Sequence, residues 1–146
     1  MKRLVTTIFA AWAVCAGAAA SSAVAEGTYF VGESPGIAKV SFVVRDGNVE
    51  RALLTARGLR CSDGARANLF KPYHDIALAG NRFARKHRPE GGFQAAFKGH
   101  VYRDEASGRL ELAEPGCSTG RISWDAKSVS REHWLEMDSR LAGPGR

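Results

Sequence analysis

Apolar and polar residues alternate with a period of two over most of this chain. Val40, Phe42 and Val44 fall on one side of a candidate strand, Lys39–Arg45. A period of two places them on one face of a pleated backbone. Asp46-Gly47-Asn48 follows, and these residues tolerate the positive φ of a tight hairpin, so Val49–Thr55 reads as the returning strand. Arg66–Tyr73 and Ile76–Leu78 are further extended segments, Gly80-Asn81 a second turn, and Arg82–Arg85 the return from it. Pro89-Glu90-Gly91-Gly92 is a third turn. The cleanest alternation is Phe93, Ala95, Phe97, Gly99 and Val101, interleaved with Gln94, Ala96, Lys98 and His100. Leu110 with Leu112, and Ile122 with Trp124, complete the set. Trp124 shares its face with Ile122, and the other face carries Arg121, Ser123 and Asp125, so the ring is expected in the core.

Short strands separated by turn signals, with no helical pattern between them, predict an all-β fold. The expected architecture is an antiparallel β-sandwich, with a barrel as the alternative. The C-terminus changes period. Ser130 can cap a helix whose apolar stripe is Trp134, Met137 and Leu141, ended by Gly143-Pro144. A stripe this narrow suits packing against a sheet; contact with a membrane or a partner is the sharper alternative.

The N-terminus is of another kind. Lys2 and Arg3 precede an uncharged apolar run from Leu4 to Ala20, and Ser21-Ser22-Ala23-Val24-Ala25 ends in a small-x-small cleavage pattern. Residues 1–25 therefore read as a signal peptide, and the protein is expected to be secreted or periplasmic. The run is too short and too rich in alanine for a membrane anchor. Trp12 and Val14 do not fit a lipidation signal at Cys15, which is expected to leave with the leader. The organisation expected is a signal peptide over 1–25, a β-sandwich domain over 26–127 and a helical tail over 128–146.

Export changes the reading of the cysteines. Only Cys61 and Cys117 remain, and in an oxidising compartment such a pair is expected to form a disulfide. Each opens a Cys-Ser-x-Gly stretch where a strand gives way to a turn. Loss of Lys2 and Arg3 lowers the formal net charge of +6 by two, leaving a mildly basic domain. No nucleic-acid-recognition motif accompanies that charge. It is concentrated in Arg82-Phe83-Ala84-Arg85-Lys86-His87-Arg88, where Arg82, Arg85, Lys86 and Arg88 form a candidate site for an anionic polymer: a wall polysaccharide, lipid head groups or nucleic acid. The simpler reading is a solvated hairpin tip whose charges blunt a sheet edge. Alternation separates Arg82 from Arg85, so the tip rather than one strand face would gather the charge.

Catalytic spellings are scarce. Gly32-Glu33-Ser34-Pro35-Gly36 matches the G-x-S-x-G nucleophile elbow, but Pro35 has no N–H to offer an oxyanion and no helix follows, so the segment reads as a turn. His74, His87, His100 and His133 belong to no recognised motif, His133-x-x-Glu136 supplies too few ligands for a metal, and no cofactor is implied. Asp104-Glu105 reads as a solvated turn. A cleft converging on His74, Asp75 or His100 would favour an enzyme.

Gly27-Thr28-Tyr29, Val40-Ser41-Phe42-x-Val44, Asp46-Gly47, Cys61-Ser62-Asp63-Gly64, Cys117-Ser118-Thr119-Gly120 and Ile122-Ser123-Trp124-x-Ala126 occur in that order. Together they resemble a family of small exported bacterial β-sandwich domains with Cys-x-x-Gly segments and no settled function. The resemblance spans Gly27 to Ala126. It implies a β fold and no catalytic residues; the tail after Lys127 departs from it. The function expected is a non-enzymatic binding or envelope-associated module. A small hydrolase with a scattered site and a secreted enzyme inhibitor are the alternatives.

Overall fold

The computed structural model describes residues 26–143, so the leader reading and Cys15 lie outside the described residues. Nine strands form a single antiparallel sheet: β1 Thr28–Ser34, β2 Ala38–Arg45, β3 Asn48–Arg60, β4 Arg66–Ala77, β5 Arg82–His87, β6 Gln94–Tyr102, β7 Glu105–Glu114, β8 Cys117–Ser118 and β9 Ile122–Val129. Helix α1 spans Arg131–Ala142. The order across the sheet is β4-β3-β2-β1-β9-β7-β6-β5, with β8 on β7. One sheet, rather than two stacked, makes the architecture barrel-like. Its edge strands β4 and β5 approach each other but are only laced together. The Gly80-Asn81 turn pairs Ala79 with Arg82, and Arg85 Nη2 donates to the Asp75 carbonyl at 3.2 Å.

Local signals account for most elements. The Asp46-Gly47 hairpin takes φ of 50° and 74°, as a two-residue turn between twisted strands requires. Ser34 ends β1 in the expected turn, with Ile37 N–H donating to its carbonyl at 3.0 Å. Several elements differ from the sequence reading: the short β8 was not foreseen, and Glu105, expected in a solvated turn, opens β7 because it pairs with Tyr102 and Lys127. Strand β1 carries no clean alternation and also escaped that reading. The two segments Arg66–Tyr73 and Ile76–Leu78 are one strand, β4, running through Pro72 and ending at Ala77. Proline is tolerated there because β4 is an edge strand, so its missing N–H breaks no second ladder. Strand β3 extends to Arg60 past a register shift between Ala56 and Leu59, where Gly58 has φ 63°.

The inward faces meet in an aromatic core. Phe42 stacks on Phe30 (4.8 Å between ring centres) and meets Trp124 edge-on (5.8 Å), while Phe83 and Phe97 pack at 4.9 Å. Trp124 is 1% exposed. It fits because Gly99 faces it: a Cβ there would lie 2.6 Å from the indole ring. The interior is thus filled by side chains.

Helix α1 covers the outer face of β1–β3. Ser130 Oγ caps it, accepting from His133 N–H at 3.2 Å. Trp134 packs on Tyr29 at 5.5 Å. The buried face is Trp134, Asp138 and Leu141, and Met137 is only half-buried. Asp138 replaces an apolar residue because it has partners: Ser41 Oγ donates to it at 2.9 Å and Arg51 Nη2 at 2.7 Å. Arg57 Nη2 donates to the carbonyls of Arg140 and Leu141 at the helix end. Among the described residues no helix is long and apolar enough to cross a membrane.

A disulfide joins Cys61 to Cys117 across a separation of 56 residues. Ser62 N–H donates to the Gly116 carbonyl beside it at 2.8 Å. The bond closes a loop worth about 4 kcal/mol by chain entropy, against a total of roughly 5–15 kcal/mol for a domain of this size. Reduction should therefore shift the urea midpoint down sharply. Denatured but unreduced protein, residues 26–146, should present no titratable thiol; two free thiols would refute the bond.

Burial also marks Tyr73. Its hydroxyl has no partner among the described residues. Desolvation pushes its pKa up to about 12, with the nearby Arg85 charge pulling the other way. The unfolded phenol ionises near 10. The neutral form is therefore favoured by folding, and stability intact below about pH 10 is lost as pH rises through about 12. Tyr73→Phe should leave the melting temperature at pH 7 unchanged or higher, and should flatten the loss of stability between those two pH values.

Candidate anion-binding face

The core fixes which residues of the second half-sheet face outward. Phe83, Phe97, Leu110 and Trp124 are buried, so their strand neighbours point to solvent. Register then aligns these neighbours in rows across the strands. One row is Ala84, Lys98, Arg109 and Ser123. The next places Lys86 opposite Ala96, and Ala96 opposite Glu111. Lys86, Arg88, Lys98, Arg109, Glu111 and Arg121 all line one shallow cleft of about 230 Å³. Its only acid, Glu111, is engaged by Arg88 at 3.6 Å. Lys98 sits directly across from Arg109. Like charges opposite each other on a sheet are destabilising, and among the described residues neither is in an ion pair.

The four basic residues singled out in the sequence divide. Arg82 and Lys86 face outward on β5, and Arg88 follows the strand into the cleft. Arg85 also lines the cleft, but its guanidinium donates to the Asp75 carbonyl at the seam. The charge thus gathers on a sheet face rather than at a hairpin tip. Lys98, Arg109 and Arg121 were missed, because they belong to this cluster only through pairing of β6 with β7 and β7 with β9. An alternation of basic residues on the polar side of those strands was the available signal.

The next row on the same face is Arg82, His100, Ser107 and Asp125. Ser107 Oγ and His100 Nε2 lie 3.2 Å apart, a hydrogen bond of the kind that joins a nucleophile to its base. The flanking charges stand in the wrong order for that chemistry. A relay needs a carboxylate holding the far side of the imidazole, where it stabilises the imidazolium. Here a guanidinium-bearing residue lies on the histidine's side and the carboxylate on the serine's. No hydrogen bond joins His100 to a carboxylate among the described residues. His74 lies in a separate cleft beside the helix end, with Arg51 and Arg57, so the structure does not bring it to His100. Ser34 of the Gly-x-Ser-x-Gly segment is buried in its turn. No group of three or more metal-ligating side chains occurs among the described residues.

No family model, no curated protein and no solved structure matches this chain, so the resemblance drawn from its Cys-x-x-Gly segments gains no support from these comparisons.

The like-charged pair makes a thermodynamic demand that is separable from binding. Arg109→Gln should stabilise the ligand-free protein by roughly 0.2–1 kcal/mol at low salt, and the gain should shrink as salt is added. Urea unfolding at two ionic strengths measures both; a loss of stability would show that Arg109 is a structural residue.

Proposed function

We propose that this protein is an exported, non-enzymatic binding module that holds an anionic polymer on the outer face of β5, β6, β7 and β9. The observation that carries the reading is Lys98 directly opposite Arg109, both uncompensated, with Lys86 and Arg121 lining the same cleft. Arrangements that lower stability without a packing benefit are characteristic of functional sites. The leader-like N-terminus and the Cys61–Cys117 bond support export. A hydrolase reading has Ser107 and His100 in its favour, but the charge order beside them opposes it.

Retention on an immobilised inorganic polyphosphate matrix, eluted with salt, tests the proposal. Lys98→Gln with Arg109→Gln should reduce the dependence of log affinity on log salt by roughly one per side chain removed. A control pair on the first half-sheet, Lys39→Gln with Arg66→Gln, should leave it nearly unchanged. Equal losses from the two pairs would mean that net charge alone is at work and would overturn the assignment.

A further inference from the structure

Beside the basic face runs a larger groove, about 820 Å³. His100 and Ser107 lie in it, with Tyr102, Glu105, Asp125, Glu33 and Lys127 around them, so three carboxylates line it against one ammonium, Lys127 standing across from Glu105. The two regions are continuous: His100 is two residues from Lys98 on β6, and Ser107 two residues from Arg109 on β7. Two residues along a strand are about 7 Å. Their electrostatics are opposite. Glu33 faces Asp125 directly across β1 and β9, a second like-charged pair of the destabilising kind, now of negative sign, with Lys39 across from Glu33 on its β2 side. Among the described residues neither carboxylate is in an ion pair.

A ligand charged at every unit, such as polyphosphate, would be attracted by Lys98 and Arg109 and repelled one step further along. A ligand that fits both regions carries its charge on one part and exposes uncharged hydroxyls on the next. Carboxylates accept strong hydrogen bonds from hydroxyl groups. Ser107 and His100 can each donate or accept. Tyr102 is 62% exposed, with the Arg103 guanidinium 5.4 Å from its ring centre, and an exposed ring of this kind offers a flat apolar surface with a polar tip. Hydroxyl edges and C–H faces are the two surfaces of a sugar ring. Resting on the reading of the basic face, we propose that the bound polymer is an anionic polysaccharide: its anionic groups lie on Lys98 and Arg109, and an uncharged sugar unit occupies the groove against Tyr102 and Asp125.

The sign of one substitution separates this from simple charge attraction. Affinities are measured by calorimetry for hyaluronan, in which uronate and uncharged sugars alternate, and for inorganic polyphosphate of matched charge. Asp125→Asn removes a negative charge. If the carboxylate only repels polyanions, both ligands bind more tightly. If it holds sugar hydroxyls, hyaluronan binding falls by about tenfold and polyphosphate binding is unchanged or tighter. Tyr102→Ala should likewise weaken hyaluronan alone. Tighter binding of both ligands to Asp125→Asn, or equal effects of Tyr102→Ala on both, overturns the polysaccharide assignment. Failure of the underlying reading looks different: Lys98→Gln with Arg109→Gln would then leave polyphosphate affinity unchanged. Wild-type protein that binds neither ligand overturns both. Matching melting temperatures establish that the variants are folded.

Discussion

The fold depends on where its last strand inserts. Strands β1–β4 form one meander and β5–β7 another, and between β4 and β5 the Gly80-Asn81 turn supplies only the Ala79–Arg82 bridge and the Arg85–Asp75 contact, not a paired ladder. Strand β9 supplies that ladder, pairing with β1 from Tyr29 to Glu33 and with β7 from Glu105 to Leu110. Without it no continuous ladder would join the two meanders. With it, Trp124 reaches Phe42 from the first meander and Phe97 from the second. The Cys61–Cys117 bond ties the same two halves again at another point of the sheet. Pairing strands so distant in sequence is entropically expensive, and the disulfide lowers that cost by restricting the unfolded chain.

The two outer faces of the barrel have different fates. Over β1–β3 the helix lies on Tyr29 and Ser41, held by the Asp138 contacts and capped by Arg57. That face is packed, and Asp138, Ser41 and Arg57 are hydrogen-bonded there, although the Trp134 indole N–H is buried without a partner among the described residues. Over β5–β7 and β9 nothing is packed outside the sheet among the described residues, and there two cross-strand pairs of like charge stand beside compensated ones such as Glu105 opposite Lys127. Lys98 faces Arg109 and Glu33 faces Asp125, although exchange of partners would have produced two ion pairs. A surface selected only for stability would not segregate charge this way. Segregation also aims the field: a basic face beside an acidic groove attracts anions to one part and excludes them from the next.

By itself the sequence determined what local chemistry controls. The Asp46-Gly47 and Gly80-Asn81 turns need positive φ, and the residues that permit it stand in place. Alternation around Phe97 and Trp124 identified buried faces, because side chains on a strand point to opposite sides whatever the strand's neighbours. Ser130 announced the helix, and the two cysteines that follow the apolar N-terminal run announced their bond. What only the tertiary structure decided is everything set by register. Strand β1 is held mainly by β2 and β9 rather than by its own pattern. Asp138 lies on the buried face of α1 only because Ser41 and Arg51 meet it there. Lys98, Arg109 and Arg121 line one cleft with Lys86, and Ser107 meets His100, only once β6, β7 and β9 are aligned. A one-residue slip would send each of these side chains to the opposite face, and the period-two pattern of a single strand carries no information about which residue of another strand will lie beside it.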